Sequence, residues 1–307
     1  MKNRRDFLKK SALGLIGTTL MPNIILAQKN DVKITILHTN DTHSHIHPFK
    51  SGIYKGLGGM AERAGIINKI RQEEKNVLLL DAGDIFQGTP YFNFFGGELE
   101  FKLMSKMKYD AATIGNHDLD NGLNGLLKQL KHTNFPFLIA NYNFSKTILK
   151  DKFQPYKIFL KDNIKIGVFG IGVELQGLVP KELYGNTLYQ DPIEKSNYYS
   201  KLLKQNKKCD LVICLSHLGL KYNNDKVSDI VVAKKSRYID LIIGGHTHTF
   251  LEKPIEILNL DKKPVIVNQV GWGGINIGRI DYHFRQNNQN KSLKKVFGNA
   301  ILVKKTV

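Results

Sequence analysis

Val77-Leu78-Leu79-Leu80-Asp81-Ala82-Gly83-Asp84 sets the fold class: an apolar run of strand length, then two acidic residues around a glycine. A short continuous apolar run bounded by turn residues is the pattern of a strand buried on both faces. Gly83 lets the backbone approach a neighbour closely, and Asp84 stands just past the strand end. In open α/β sheets the carboxyl ends of strands border one crevice, so a carboxylate there meets side chains from other strands. Four more polar clusters follow apolar runs in the same way: Asp41-Thr42-His43, Gly115-Asn116-His117-Asp118, Ser216-His217 and Gly244-Gly245-His246-Thr247-His248.

The rest of the chain keeps a strand-helix rhythm. Strands are expected at Lys33–Leu37, Val77–Leu80, Ala111–Ile114, Phe137–Ala140, Lys165–Phe169, Leu211–Leu215, Leu241–Ile243, Val265–Asn268 and Asn276–Phe284. Helices are expected at Met60–Glu74, Leu99–Met107, Leu123–Lys131, Glu194–Lys204 and Val227–Lys235. This alternation predicts an α/β fold with the functional residues at strand carboxyl ends. The last two strand candidates follow one another without a helix, which predicts an antiparallel or edge-forming end to the sheet. Polar residues 286–293 read as a loop, and Ala300–Val303 as a final short strand.

A chain of 307 residues with 42% hydrophobic content can bury one large core, and residues 29–307 read as a single catalytic domain. Asn3-Arg4-Arg5-Asp6-Phe7-Leu8-Lys9-Lys10, followed by a mildly apolar stretch to Ala27, resembles a twin-arginine export signal over residues 1–28. That stretch is short and broken by Gly14, Gly17 and Pro22, so no stable membrane anchor is expected. The expected location is the periplasm or the extracellular space. Without residues 1–28 the chain keeps 40 basic and 26 acidic residues, a formal charge of +14. The basic residues are scattered and no nucleic-acid motif accompanies them, so nucleic acid is not an expected partner. Cys209 and Cys214 fall in one apparent strand run, too far apart in extended chain for a disulfide, and read as buried thiols.

The clusters carry metal chemistry. Asp41 and His43, two apart, share one side of extended chain, and His246 and His248 repeat that spacing. Asp84 is a carboxylate able to bridge two cations, His217 ends another apolar run, and Asn116 offers a neutral amide oxygen that limits negative charge around an anionic substrate. Carboxylates, imidazoles and an amide at five strand ends read as a two-metal hydrolase site. Mixed nitrogen and oxygen donors accept zinc, manganese, iron or cobalt. His45 and His47 would crowd the first motif and are assigned to supporting or surface positions. The aromatic stretch Phe86–Phe95 reads mainly as core, and Asn141 and Trp272 are minor substrate candidates.

Leu37-His38-Thr39-Asn40-Asp41-Thr42-His43, Asp81-Ala82-Gly83-Asp84 with Gln87-Gly88-Thr89-Pro90, Gly115-Asn116-His117-Asp118 and Gly244-Gly245-His246-Thr247-His248 resemble the calcineurin-like metallophosphatases, and among them the bacterial exported 5′-nucleotidases and UDP-sugar hydrolases. The resemblance runs from about Val32 to Phe284. It implies a four-layer α/β sandwich. It also implies one divalent ion held by Asp41, His43, Asp84 and His248, and a second held by Asp84, Asn116, His217 and His246. Many nucleotidases carry glutamine where His248 stands. The resemblance assigns His117 and Asp120 as a catalytic dyad, with Asp118 as the other possible partner of His117. The implied reaction is hydrolysis of nucleotides or other phosphate esters by direct attack of a metal-bridging hydroxide. A 2′,3′-cyclic nucleotide phosphodiesterase, a thiohydrolase of the thiosulfate-oxidation type and a noncatalytic binding module are the alternatives. Such nucleotidases usually continue into a nucleotide-specificity domain; its segment is not found here, so a separately encoded specificity partner is expected.

Overall fold

The computed structural model describes residues 30–286 and 291–305; the leader expected over residues 1–28 lies outside them. The strands run β1 (Asn30–Thr39), β2 (Val77–Asp81), β3 (Ala111–Ala112), β4 (Tyr142–Asn143), β5 (Tyr156–Lys161), β6 (Ile164–Gly172), β7 (Leu188–Tyr189), β8 (Leu211–His217), β9 (Leu241–Gly244), β10 (Ile255–Leu258), β11 (Pro264–Asn268), β12 (Asn276–Gln286) and β13 (Lys291–Leu302). Helices are α1 (Met60–Glu73), α2 (Pro90–Phe95), α3 (Glu98–Lys106), α4 (Gly122–Leu130), α5 (Lys181–Tyr184), α6 (Pro192–Lys201) and α7 (Asp229–Lys235).

Two sheets pack face to face. One has the order β13-β12-β1-β2-β3, the other β10-β11-β9-β8-β6-β5, and β4 pairs with β7 separately. Strands β1, β2 and β3 are mutually parallel, as are β6, β8, β9 and β11. Their side chains alternate between two buried environments, which is why the runs are continuously apolar. Leu78 and Leu80 of β2 meet Ile213 and Leu215 of β8 and Leu241 and Ile243 of β9 in the core between the sheets. Val77 and Leu79 face outward onto Ile67 and Ile70 of α1 and Phe101 and Met104 of α3. On the far side, Val212, Cys214 and Ile242 pack with Val232 and Ala233 of α7. The result is four layers, helix, sheet, sheet and helix, in line with the expected sandwich.

Several local expectations are corrected. Phe137–Ala140 forms no strand: the Leu138 amide donates to Ala112 O of the first sheet (2.8 Å) and the Ala140 amide to Gly170 O of the second (2.8 Å). The segment bridges the sheets, so it is buried without joining a ladder. The β3 strand ends at Ala112, two residues short of Ile114. The strands β11 and β12 belong to different sheets, β11 parallel to β9 and β12 antiparallel to β1, so residues 269–275 cross between the sheets. Of the expected loop over 286–293, residues 287–290 lie outside the described residues, Gln286 ends β12, and Lys291 begins β13, whose run to Leu302 pairs antiparallel with β12 and replaces the short strand expected at 300–303. The α6 helix starts earlier than expected because Asp191 caps it, accepting from the Ile193 (2.7 Å) and Glu194 (3.2 Å) amides ahead of Pro192, and a π-helical turn, Leu202–Asn206, follows it. Both thiols are buried and free; only Cys214 lies within a strand.

Candidate metal centre

The parallel strands of both sheets end at one edge, and the polar clusters meet there. Asp41 and His43 follow β1, Asp84 follows β2, Asn116 and His117 follow β3, His217 ends β8, and His246 and His248 follow β9. Donor atoms of Asp41, His43 and His248 lie within 4.8 Å of one another, as do those of Asp84, His217 and His246. Asp84 Oδ2 lies 3.1 Å from His217 Nε2 and 3.9 Å from His43 Nε2, so one carboxylate reaches toward both groups. Asn116 Oδ1 lies 2.8 Å from His246 Nδ1, on the second group.

The ring tautomers suit a cation. The His217 Nδ1–H donates to Ala82 O (2.7 Å) and the His43 Nδ1–H to Phe86 O (3.2 Å). In each ring Nε2 is then turned inward, the arrangement by which a backbone carbonyl fixes a ligating imidazole. His217 Nε2 is buried and faces Asp84 Oδ2 at 3.1 Å without a well-formed hydrogen bond, and His43 Nε2 faces His248 Nε2 at 3.0 Å. Glycines leave room for these atoms. A Cβ on Gly245 would stand 2.9 Å from His217 Nδ1 and 3.0 Å from Asp41 Oδ2. The donor set and the orphaned nitrogen fit two divalent cations.

Electrostatics at the site follow from burial and close opposite charge. Burial opposes ionisation of Asp84, yet the imidazoles of His217, His43 and His117 hold its carboxyl well below the usual carboxylate range. Burial works against a charge on His217, but Asp84 and Asp41 push its pKa up to about 10. Burial lowers His246 to about 4, with His217 adding to the effect.

His117 sits at the rim. Its Nδ1 is 2.9 Å from Asp120 Oδ2, and its ring lies edge-on to His43 at 5.4 Å between centroids. The Asp120 hydrogen bond raises its pKa against partial burial. The side chains of His117 and His248 are 39% and 41% exposed whereas those of Asp41 and His217 are fully buried, so the mouth of the site lies on the His117–His248 side. Asp118, the other candidate partner of His117, is occupied elsewhere: its carboxylate accepts from the amides of Asp84 (3.0 Å), Ile85 (2.9 Å), Phe86 (3.0 Å) and Gly115 (2.8 Å). It holds the Asp84 turn against Gly115.

The remaining candidates resolve by contact. His45 stacks on Phe49 at 4.3 Å and His47 packs beside Tyr91, outside both groups. In the aromatic stretch Phe86 and Phe92 are buried and Phe94 is exposed. Asn141 exchanges two 2.8 Å hydrogen bonds with Gly172. Trp272 stacks on His248, centroids 5.8 Å apart. Sequence reading missed Asn40, whose Nδ2 donates to Asp41 Oδ2 and to Gly271 O, both at 2.6 Å. Its place directly before Asp41 was the available signal.

The pattern of a calcineurin-like phosphoesterase matches residues 34–250. The chain belongs to that family. It is 35% identical over 283 residues to a 5′-nucleotidase of Vibrio cholerae, covering 84% of this chain and 50% of that protein. A 5′-nucleotidase precursor from Thermus thermophilus superposes with a TM-score of 0.78 at 30% identity, covering 89% of this chain and 55% of that one. An NAD nucleotidase of Haemophilus influenzae gives 0.75 at 28% identity, covering 89% and 51%. The chain thus spans about half the length of the curated relatives it matches. Among its described residues no helix is long and apolar enough to cross a membrane.

Proposed function

We propose that the protein is a binuclear metal-dependent phosphoesterase that hydrolyses nucleotides, 5′-nucleotidase-like, with water as the nucleophile. The observation that carries this reading is the pairing of two nitrogen- and oxygen-donor groups across the facing sheet edges, with the Asp84 carboxylate between them and His117 at the mouth. In this reading Asp41, His43, Asp84 and His248 hold one cation, and Asp84, Asn116, His217 and His246 the other. Bound cations supply an activated water and charge stabilisation for the phosphoryl oxygens. His117, oriented by Asp120 through Nδ1, presents Nε2 to a phosphoryl oxygen or to the leaving oxygen. Cys209 and Cys214 are buried in the core beyond the second sheet, so neither thiol is a nucleophile at this edge. Nucleotide preference is supported by the named activities of the relatives, and export by the twin-arginine route by Asn3-Arg4-Arg5-Asp6-Phe7.

The test is phosphate release from AMP, UDP-glucose, 2′,3′-cyclic AMP and p-nitrophenyl phosphate by metal-reconstituted protein, beside Asp84→Asn and His117→Ala. AMP turnover abolished in Asp84→Asn and strongly reduced in His117→Ala is expected. No phosphate from any ester would sink the reading.

A further inference from the structure

The loop Gly244–Thr249 serves both candidate ion sites at once. It places His246 beside Asp84 and His217, and His248 beside Asp41 and His43. Both histidines adopt left-handed backbone, φ 73° and 52°, so the loop needs external restraint to keep two side chains of opposite assignment in register. The His246 amide also donates to both Asp41 oxygens at 3.0 Å, so a shift of this loop is felt by ligands of either group.

One side chain supplies much of that restraint. Gln269, fully buried just past the end of β11, lies beside the end of β9 because Asn268 pairs with Ile243. Its Nε2 donates to Gly245 O (2.6 Å), and its Oε1 accepts from the Thr249 amide (2.5 Å) and from Thr247 Oγ1 (3.0 Å). Gln269 therefore grips residues 245, 247 and 249, and the two histidines are the residues left between its grips. A Cβ on Gly244 would come within 3.2 Å of Gln269 Nε2, so the glycine permits this close approach.

We propose that Gln269 is a positioning residue that fixes the spacing between the two ion sites, holding His246 and His248 as one unit. This rests on the two-cation reading above. Because the carboxamide hydrogen-bonds to the loop on either side of the histidines and not to either imidazole, its removal weakens both sites together. Loss of a comparable supporting partner costs about 10- to 100-fold in metal affinity.

The experiment titrates manganese(II) alone into apo wild type, Gln269→Met and Gln269→Glu, with calorimetry for affinity and electron paramagnetic resonance for coupling between ions. Asn259→Ala is the control. Asn259 Oδ1 accepts from the Asp261 (2.8 Å) and Lys263 (3.0 Å) amides in a turn outside the candidate metal centre, so its loss weakens the fold without touching the loop. Wild type is expected to bind two ions with a spin-coupled spectrum. Gln269→Met, at saturating manganese, is expected to bind both ions 10- to 100-fold more weakly with an altered coupled signal. Gln269→Glu keeps the acceptor to Thr247 and Thr249, loses the donor to Gly245, and falls between; it also serves if the methionine variant fails to fold. Wild-type affinities and coupling in both Gln269 variants, weakening at one site only, or an equal change in Asn259→Ala would each overturn the proposal. Absence of manganese binding by wild type would instead overturn the two-cation reading on which it rests.

Discussion

Replacing Gly115 by alanine tests whether the Asp84 carboxylate is the hub of the site. A Cβ at this position would stand 2.6 Å from Asp84 Cγ and 2.6 Å from the Asp84 amide nitrogen, and closer still to Oδ1. Ordinary contact begins near 3.4 Å, so the carboxylate has to retreat by about 1 Å or the strand ends have to part. Retreat also breaks the 2.8 Å bond from the His117 amide to Asp84 Oδ1. Overpacking of this kind costs about 1–3 kcal/mol of stability. The functional cost is of comparable size, about 2.7 kcal/mol, because a displacement of about 1 Å in a positioned group lowers turnover by about 100-fold. The expected outcome for Gly115→Ala is therefore a folded protein with a modestly lowered midpoint of thermal unfolding. Its kcat/KM for phosphate-ester hydrolysis, measured with metal in excess, is expected to fall by about two orders of magnitude. A variant with unchanged kcat/KM and unchanged metal affinity would refute the reasoning that Asp84 must sit where it does.

Three further outcomes follow from the same geometry. His117→Ala lowers kcat by about 100- to 10,000-fold, the range for a group that handles a proton or developing charge, and Asp120→Asn lowers it less; steady-state kinetics with equal losses would contradict the orienting role of Asp120. Chelation lowers the unfolding midpoint, and restoring a cation at about 100 times its Kd returns about 2.7 kcal/mol; an unchanged midpoint in chelator refutes occupancy. Burial pushes the Asp229 carboxyl, which accepts from Ser216 Oγ, up to about 8. Folded protein then keeps a proton that the unfolded chain releases near its ordinary value of 3.8, so this group's contribution to stability is full at low pH. It declines as pH rises toward 8, by at most about 1.4 kcal/mol per pH unit. Asp229→Asn in metal-free protein removes that slope, and urea unfolding of the two proteins with parallel pH dependence would disprove it.

What could be read from the sequence tracks burial. The runs that became β2, β8 and β9 are buried on both faces, so their apolar continuity marked them, and the residues just past them converge because parallel strands end together. The β5, β10 and β13 strands are sheet edges with mixed exposure, and Lys-rich β13 has the composition that protects an edge rather than the one that announces a strand. Phe137–Ala140 has the apolar continuity of a buried strand without strand pairing, because its amides divide between two sheets. His117 and Asp120 are three residues apart and local, so their pairing was legible. Gln269 stands 24 residues from Gly245, and nothing in the local pattern connects them.

Backbone strain explains why those distant clamps exist. Asp41, His43, Asp84, His246 and His248 all have left-handed backbone, with φ of 49°, 45°, 55°, 73° and 52°. Aspartate and histidine tolerate this region better than most residues, but each instance still costs on the order of 1 kcal/mol. Five together approach the lower end of the whole stability of a domain, about 5–15 kcal/mol, so the strain has to be offset by contacts made in the same place. Those contacts are polar and belong to the protein itself. Asp118 collects four amides around the Asp84 turn, Asn40 ties Asp41 to the 269–275 crossing, and Gln269 holds the His246–His248 loop. None of these bonds requires a cation. The geometry of the candidate ligand groups is therefore held by the protein's own polar contacts, and under the two-cation proposal an ion would meet donors already turned inward.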